Sequence, residues 1–201
     1  MKKITFGKFL AALYLLLIAS QPGAQTLAGS ALVDGLREGG LVLVVRHTSS
    51  PRELPDAATV NPDNVKGERQ LDEKGRRDAT AIGEALRRLQ IPVNEVLSSP
   101  AYRALETARL AGFDQVTIHQ ELGNDGMAQS SAQYAAWLQA EAASVPQQGN
   151  RLMITHGPNI NAAFPEAAVD MEEGETLVIN PESGTGPEVV ARIKSTHWLA
   201  L

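Results

Sequence analysis

The sequence predicts an α/β fold with a mostly parallel central sheet, helices on both faces and an antiparallel edge. Three observations predict it. Apolar strand-like runs alternate with stripes at helical spacing over most of the chain, the pattern of parallel strands joined through helices. Two of the runs, residues 41–47 and 151–156, are largely apolar and end in His47 and His156. The last two, residues 176–180 and 189–194, flank a Gly184-Thr185-Gly186-Pro187 turn and can pair as a hairpin at the sheet's edge.

The chain of 201 residues opens on Lys2, Lys3 and Lys8, an apolar run from Phe9 to Ala19 and a small-residue region from Ser20 to Ala28. That order reads as a secretory signal peptide, so residues 1–24 are expected to be removed, with cleavage after Ala24 or, second, after Ala28. The apolar run is short for a bilayer span, and no stable membrane insertion is expected once it is gone. Residues 25–201 then form one domain, long enough to bury one sizeable core. The chain has no cysteine. An exported protein without disulfides must draw its stability from that core.

Residues 26–37 read as a helix stopped by Gly39-Gly40 and feeding the strand at 41–47. Leu41 to Val45 are all apolar and three of them β-branched, as in a strand covered on both faces. Residues 48–70 are polar, with Pro51, Pro55 and Pro62 and no clear period; a loop this long points to function or disorder, and its position after His47 favours a cover. Asp72 is the expected N-cap of the next helix, on which Ala79, Ile82, Leu86 and Leu89 form one stripe. Residues 95–99 read as a strand, and Pro100 opens a helix to about Leu110. A strand at 116–119 and a Gly123-Asn124-Asp125-Gly126 turn precede a helix from Ser131 to Val145, marked by Tyr134, Leu138, Ala142 and Val145.

The net charge is −5, and loss of the three leader lysines takes it to −8. An acidic surface argues against nucleic acid as a partner. It leaves room for a small anion, because a few local arginines outweigh the global field.

Parallel strands deliver their carboxyl ends to one edge, where open α/β sheets bind ligands. Three such ends carry chemistry: Arg46-His47, Ser99 with Arg103 one helical turn on, and His156-Gly157. Two guanidiniums and two imidazoles converging there make an anion site with a candidate nucleophile. Guanidinium forks match phosphate oxygens, and a neutral imidazole nitrogen is a competent phosphoryl acceptor.

Taken in order, Arg46-His47, Ser98-Ser99-Pro100-Ala101-Tyr102-Arg103-Ala104-Leu105-Glu106-Thr107-Ala108 and Thr155-His156-Gly157 resemble the histidine phosphatase (phosphoglycerate-mutase-like) superfamily. More narrowly, the chain is similar to small exported members of its shorter branch. The likeness covers roughly residues 41–198, including Leu71-Asp72-Glu73-Lys74-Gly75-Arg76 and Gly174-Glu175. It implies a phosphoglycerate-mutase-like fold and a phosphomonoesterase of histidine acid phosphatase type, acting on a small phosphorylated substrate in the periplasm or outside the cell. His47 is expected to attack phosphorus and form a phosphohistidine that water hydrolyses. Arg46, Arg103 and His156 are expected to hold the phosphoryl oxygens, with no metal or other cofactor. Two rivals remain: a weak or inactive anion-binding member of the same fold, and a phosphohistidine-protein phosphatase, which the leader disfavours.

The chain departs from the resemblance in two places. Thr48 stands where the family usually has glycine, and its hydroxyl is a candidate substrate contact or a tolerated side chain. The expected general acid, a glutamate followed by glycine, is replaced by Gln120-Glu121-Leu122-Gly123-Asn124-Asp125-Gly126. Asp125 is the first candidate and Glu121 the second, against the alternative that Asp125 only bonds its own turn. Arg69 is expected to close over the phosphate, with Arg52 a secondary candidate. Glu106 and Arg109 are expected on a solvated face, His119 and His197 in structural places, and Trp198 at the sheet edge.

Overall fold

The structure, a computed structural model, describes residues 27–51, 67–123, 131–183 and 186–201. The expected leader, Arg52, most of the long polar segment, Asp125 and Gly184-Thr185 lie outside the described residues. Among the described residues six strands form one sheet: β1 (Val42–Arg46), β2 (Val93–Ser98), β3 (Thr117–Ile118), β4 (Asn150–Thr155), β5 (Thr176–Asn180) and β6 (Glu188–Ile193). Their order is β3-β2-β4-β1-β5-β6. The pairs β1–β4, β2–β4 and β2–β3 are parallel, whereas β5 runs antiparallel to both β1 and β6. The expected late hairpin is therefore real, and it puts one reversed strand inside the sheet.

Among the described residues five helices cover the two faces: α1 (Gly29–Glu38), α2 (Glu73–Arg88), α3 (Tyr102–Leu110), α4 (Ser131–Ala142) and α5 (Gly157–Ala163). Successive side chains of a strand point to opposite faces, and the central strands split accordingly. Leu43, Val45, Leu152 and Ile154 pack with Leu36, Ile82, Leu86 and Ala108 of α1, α2 and α3. Val42, Val44 and Met153 pack with Leu138 and Ala142 of α4 and Ile160 of α5. Burying each such Val, Leu or Ile contributes about 1.5–3 kcal/mol, which is why β1 and β4, apolar on both faces, take the middle.

Asp72 caps α2 as expected, accepting from the Gly75 amide at 2.7 Å. The same carboxylate receives the Ser49 hydroxyl at 2.7 Å, tying the segment after β1 to the helix. Gly75 is required there: a Cβ on it would lie 2.1 Å from the Ser49 carbonyl oxygen.

One expected boundary is corrected, and one helix is added. The α4 helix stops at Ala142, leaving Val145 beyond it and 44% exposed. A short helix, α5, follows His156 with Pro158 in its first turn, a position proline tolerates because that amide has no helical partner. Trp198, expected at the sheet edge, is fully buried in a 3-10 segment, Ser195–Ala200, packed on α2 and in one core with Val190 and Ile193 of the edge strand β6. Among the described residues no helix is long and apolar enough to cross a membrane.

The register places the site. Arg46 lies opposite Thr155, so the chain leaves β1 and β4 side by side as His47 and His156. Because β5 is reversed, Val45 lies opposite Thr176, and the segment leading into β5 reaches that same edge. Its backbone is stitched to β1: Arg46 N donates to the Glu175 carbonyl at 3.0 Å, and Gly174 N donates to the carbonyls of Arg46 and His47 at 3.0 and 3.1 Å.

Candidate active site

Arg103 enters the site from the second residue of α3 and lies between the two histidines. Its Nε donates to His47 Nε2 at 3.2 Å, and its Nη2 lies 3.0 Å from His156 Nδ1. The imidazole centroids are 5.1 Å apart and inclined by 61°. His47, Arg103 and His156 are all buried. A buried arginine needs partners for its donors, and here the partners are ring nitrogens.

Those contacts fix the tautomers. His47 Nδ1 faces the Thr48 carbonyl at 2.9 Å, which can only accept, so the proton sits on Nδ1 and Nε2 keeps its lone pair. His156 Nδ1 accepts from Arg103, so Nε2 carries the proton and donates to Ser99 Oγ at 2.8 Å. Ser99 Oγ also accepts from Ala101 N at 3.1 Å, at the start of α3. Burial first, then the Arg103 charge, lowers the His47 pKa to about 3, and the same two causes hold His156 well below the usual range. Both rings are neutral near pH 7, and His47 Nε2 is unprotonated, its lone pair accepting from Arg103.

Arg46, His47, Arg69, His156, Gly157, Pro158 and Glu173 line a cavity of about 260 Å³. The Arg46 guanidinium packs beside Gly157, where a Cβ would meet its Nε and Cζ at 3.4 Å, an ordinary contact. Arg46 donates through Nη1 to the Met171 carbonyl and through Nη2 to Glu173 Oε1 at 3.3 Å. Its Nε is buried with no partner among the described residues, a donor left for an anion. Arg69 does reach the cavity; it contacts Ser50 Oγ at 2.9 Å, the Ser50 carbonyl at 3.1 Å and Glu173 Oε1 at 3.3 Å.

The other candidates fall differently. Thr48 is fully buried and not on the cavity wall, and its hydroxyl meets Thr107 Oγ1 at 3.1 Å. Glu121 is not on the cavity wall either, and its carboxylate lies 3.8 Å from His119, whose ring tilts onto Trp137. Glu106 corrects the expected solvated face. It is buried and gripped at both oxygens by Arg109 at 2.7 Å, with Arg76 at 3.0 Å. The Arg109 hydrogen bonds hold its carboxyl below the usual range. Arg109 itself is exposed as expected.

Sequence reasoning missed Glu173, Glu68 and Asn159. Glu68, buried, accepts the Tyr102 amide at 2.6 Å and caps α3, whose own Ala101 has no capping side chain. Asn159 donates to the carbonyls of Glu121 and Gly123, pinning the segment that carries the second candidate acid. Both act across 34 or more residues of sequence, where no local pattern signals them.

A family model described as the histidine phosphatase superfamily (branch 1) matches residues 42–150, more than half of the chain. Among solved structures, the fold is similar to the protein histidine phosphatase SixA complexed with tungstate. The TM-score is 0.59 at 17% identity, covering 78% of this chain and 98% of that one. It is similar also to phosphoserine phosphatase from Entamoeba histolytica in complex with 3-phosphoglyceric acid, with TM-score 0.54, 15% identity and coverage of 79% and 98%. A third is the product of open reading frame Rv3214 from Mycobacterium tuberculosis, with TM-score 0.53, 18% identity and coverage of 74% and 94%. No curated protein sequence gives a significant match. At these identities the structural likeness is one of fold.

Proposed function

The chain belongs to the histidine phosphatase superfamily, branch 1, and from that premise we propose that it hydrolyses a phosphomonoester through a phosphohistidine on His47, without a metal. The observation that carries this is the unprotonated Nε2 of His47, whose proton is held on Nδ1 by the Thr48 carbonyl. In the proposed first step the Nε2 lone pair leaves its hydrogen bond with Arg103 and forms a bond to phosphorus. The bond from phosphorus to the leaving oxygen breaks, and that oxygen takes the electron pair and a proton. In the second step water attacks phosphorus, the P–N bond breaks, and orthophosphate leaves with Nε2 restored.

Arg46 and Arg103 supply the positive charge, and a well-aimed donor of this kind is worth about 3 kcal/mol of barrier. His156 contributes as a neutral neighbour that shares Arg103. Asp125, outside the described residues, is the proposed proton donor to the leaving oxygen, with Glu121 second. Arg69 closes one side of the phosphoryl pocket. We propose further that residues 1–24 direct export and that the mature chain acts in the periplasm or beyond; fractionation and N-terminal sequencing of the mature protein test this.

The test of the central reading is hydrolysis of an aryl phosphate by the processed chain. Activity is expected to vanish in His47→Ala and to survive a metal chelator, with an acid-labile phosphoprotein trapped only when His47 is present. Orthophosphate binding without turnover replaces the enzyme with an anion-binding protein. One observation favours a second reading, a phosphoramidate substrate such as phosphohistidine. Among the described residues the cavity's sole carboxylate, Glu173, is engaged by two guanidiniums, and a nitrogen leaving group depends less on a carboxylic acid. Faster turnover of phosphoramidate than of alkyl phosphate selects it.

A further inference from the structure

Three donors that a phosphoryl oxygen could use converge on a side chain of the protein itself. Arg46 Nη2 and Arg69 Nη2 each stand 3.3 Å from Glu173 Oε1, and Ser50 N donates to Glu173 Oε2 at 3.0 Å. Glu173 also lines the cavity that His47 and His156 open into. We propose that Glu173 is the specificity-determining residue of this site: an internal anion at the cavity mouth that admits a lone phosphoryl group and turns away substrates bearing a carboxylate beside it. This rests on the phosphatase reading above and deepens it by naming the substrate class.

The charge balance supports it. Among the described residues, Arg46 and Arg69 on the cavity wall and Arg103 behind the two imidazoles bring three positive charges, while the imidazoles bring none. Glu173 is the carboxylate that the cavity wall sets against them, paired with Arg46 and Arg69. Without it the surplus charge would welcome a second anion on the leaving group. With it, that anion meets a like charge in a partly desolvated mouth, where Coulomb energies exceed those in water.

The carboxylate is also poorly placed to swing aside. Gly174 and Glu175, the next two residues, are hydrogen-bonded to the backbone of Arg46 and His47. The buried Glu175 carboxylate is held by Arg192, whose guanidinium also donates to the carbonyls of Val169 and Asp170. The segment carrying Glu173 is therefore clamped on both sides.

Calorimetry with glycerol 3-phosphate and 3-phosphoglycerate, which differ at a CH₂OH against a carboxylate, tests the inference on a His47→Ala chain that cannot turn over. Glycerol 3-phosphate is expected to bind at least tenfold tighter. In the added Glu173→Gln variant the ratio is expected to fall within twofold, chiefly through tighter 3-phosphoglycerate. Equal affinities in the parent chain overturn the inference. So does a Glu173→Gln chain that weakens both ligands with the ratio unchanged, since Glu173 then only organises the arginines. Failure of both compounds to bind, while wild-type chain still cleaves an aryl phosphate, overturns the inference alone. The same failure in a chain inert toward aryl phosphates overturns the phosphatase reading with it.

Discussion

The Thr107 hydroxyl stands 3.1 Å from that of Thr48, receives the Thr48 amide at 3.2 Å and donates to the Arg103 carbonyl at 2.8 Å. Since its own hydrogen goes to Arg103, the Thr48 hydroxyl must donate into it, and all its capacity is used. One side chain thus couples the residue after the candidate nucleophile to the helix that carries Arg103. Thr107→Val leaves a buried amide and a buried hydroxyl without acceptors, a loss of about 1–3 kcal/mol in unfolding free energy. Activity is expected to drop too, because the Thr48 carbonyl holds the His47 proton, and Thr107→Ser is expected to restore both. Denaturant melts and kcat for the three chains check this; an unaltered valine variant would show the contact to be idle.

Burial of His47 makes acid stability a readout of the site. Its pKa falls from 6.5 unfolded to about 3 folded, with burial the larger cause and Arg103 the next. As the pH drops, the unfolded chain takes up this proton first, so stability is full above about pH 6.5 and declines toward pH 3. The slope from one such group reaches about 1.4 kcal/mol per pH unit. His156, shifted the same way, adds to it. His47→Asn, which cannot titrate, is expected to flatten the decline between pH 6 and pH 4 in urea melts. Parallel curves for the two chains would mean that His47 is not desolvated.

Asp125→Asn is expected to slow hydrolysis of alkyl phosphates by about 10²-fold or more, the usual share of a general acid, while aryl phosphates, whose leaving oxygen departs unprotonated, change little. Steady-state rates on one compound of each kind decide it. Equal slowing of both moves the role to Glu121 or removes it.

What could be read in the sequence was whatever sits at the end of a strongly patterned element. Arg46, His47 and His156 follow apolar runs whose burial and parallel pairing leave their carboxyl ends at one edge, and Arg103 is the second residue of a helix that starts there. Such positions are dictated by local pattern plus one topological rule. Glu173 was invisible because its place depends on how a loop folds back from a reversed strand onto Ser50 and Arg69. Glu106 was misread for a related reason: a carboxylate on a charged stretch looks solvated until Arg109 and Arg76 neutralise it, after which burial costs little. Thr48 looked like a substrate contact because a hydroxyl beside a nucleophile invites that reading. Its partner, Thr107, is 59 residues away.

The direction of β5 has an outcome for how such a protein can be altered. The proposed nucleophile leaves the sheet on an outgoing strand, whereas the carboxylate proposed to select substrates arrives on an incoming one. Selection and reaction thus hang from separate stretches of chain, meeting through the Arg46 guanidinium and a few backbone contacts. Exchanging residues 170–173 for another tetrapeptide becomes a route to reprogramming which molecules enter, with the reacting nitrogen left where it stands.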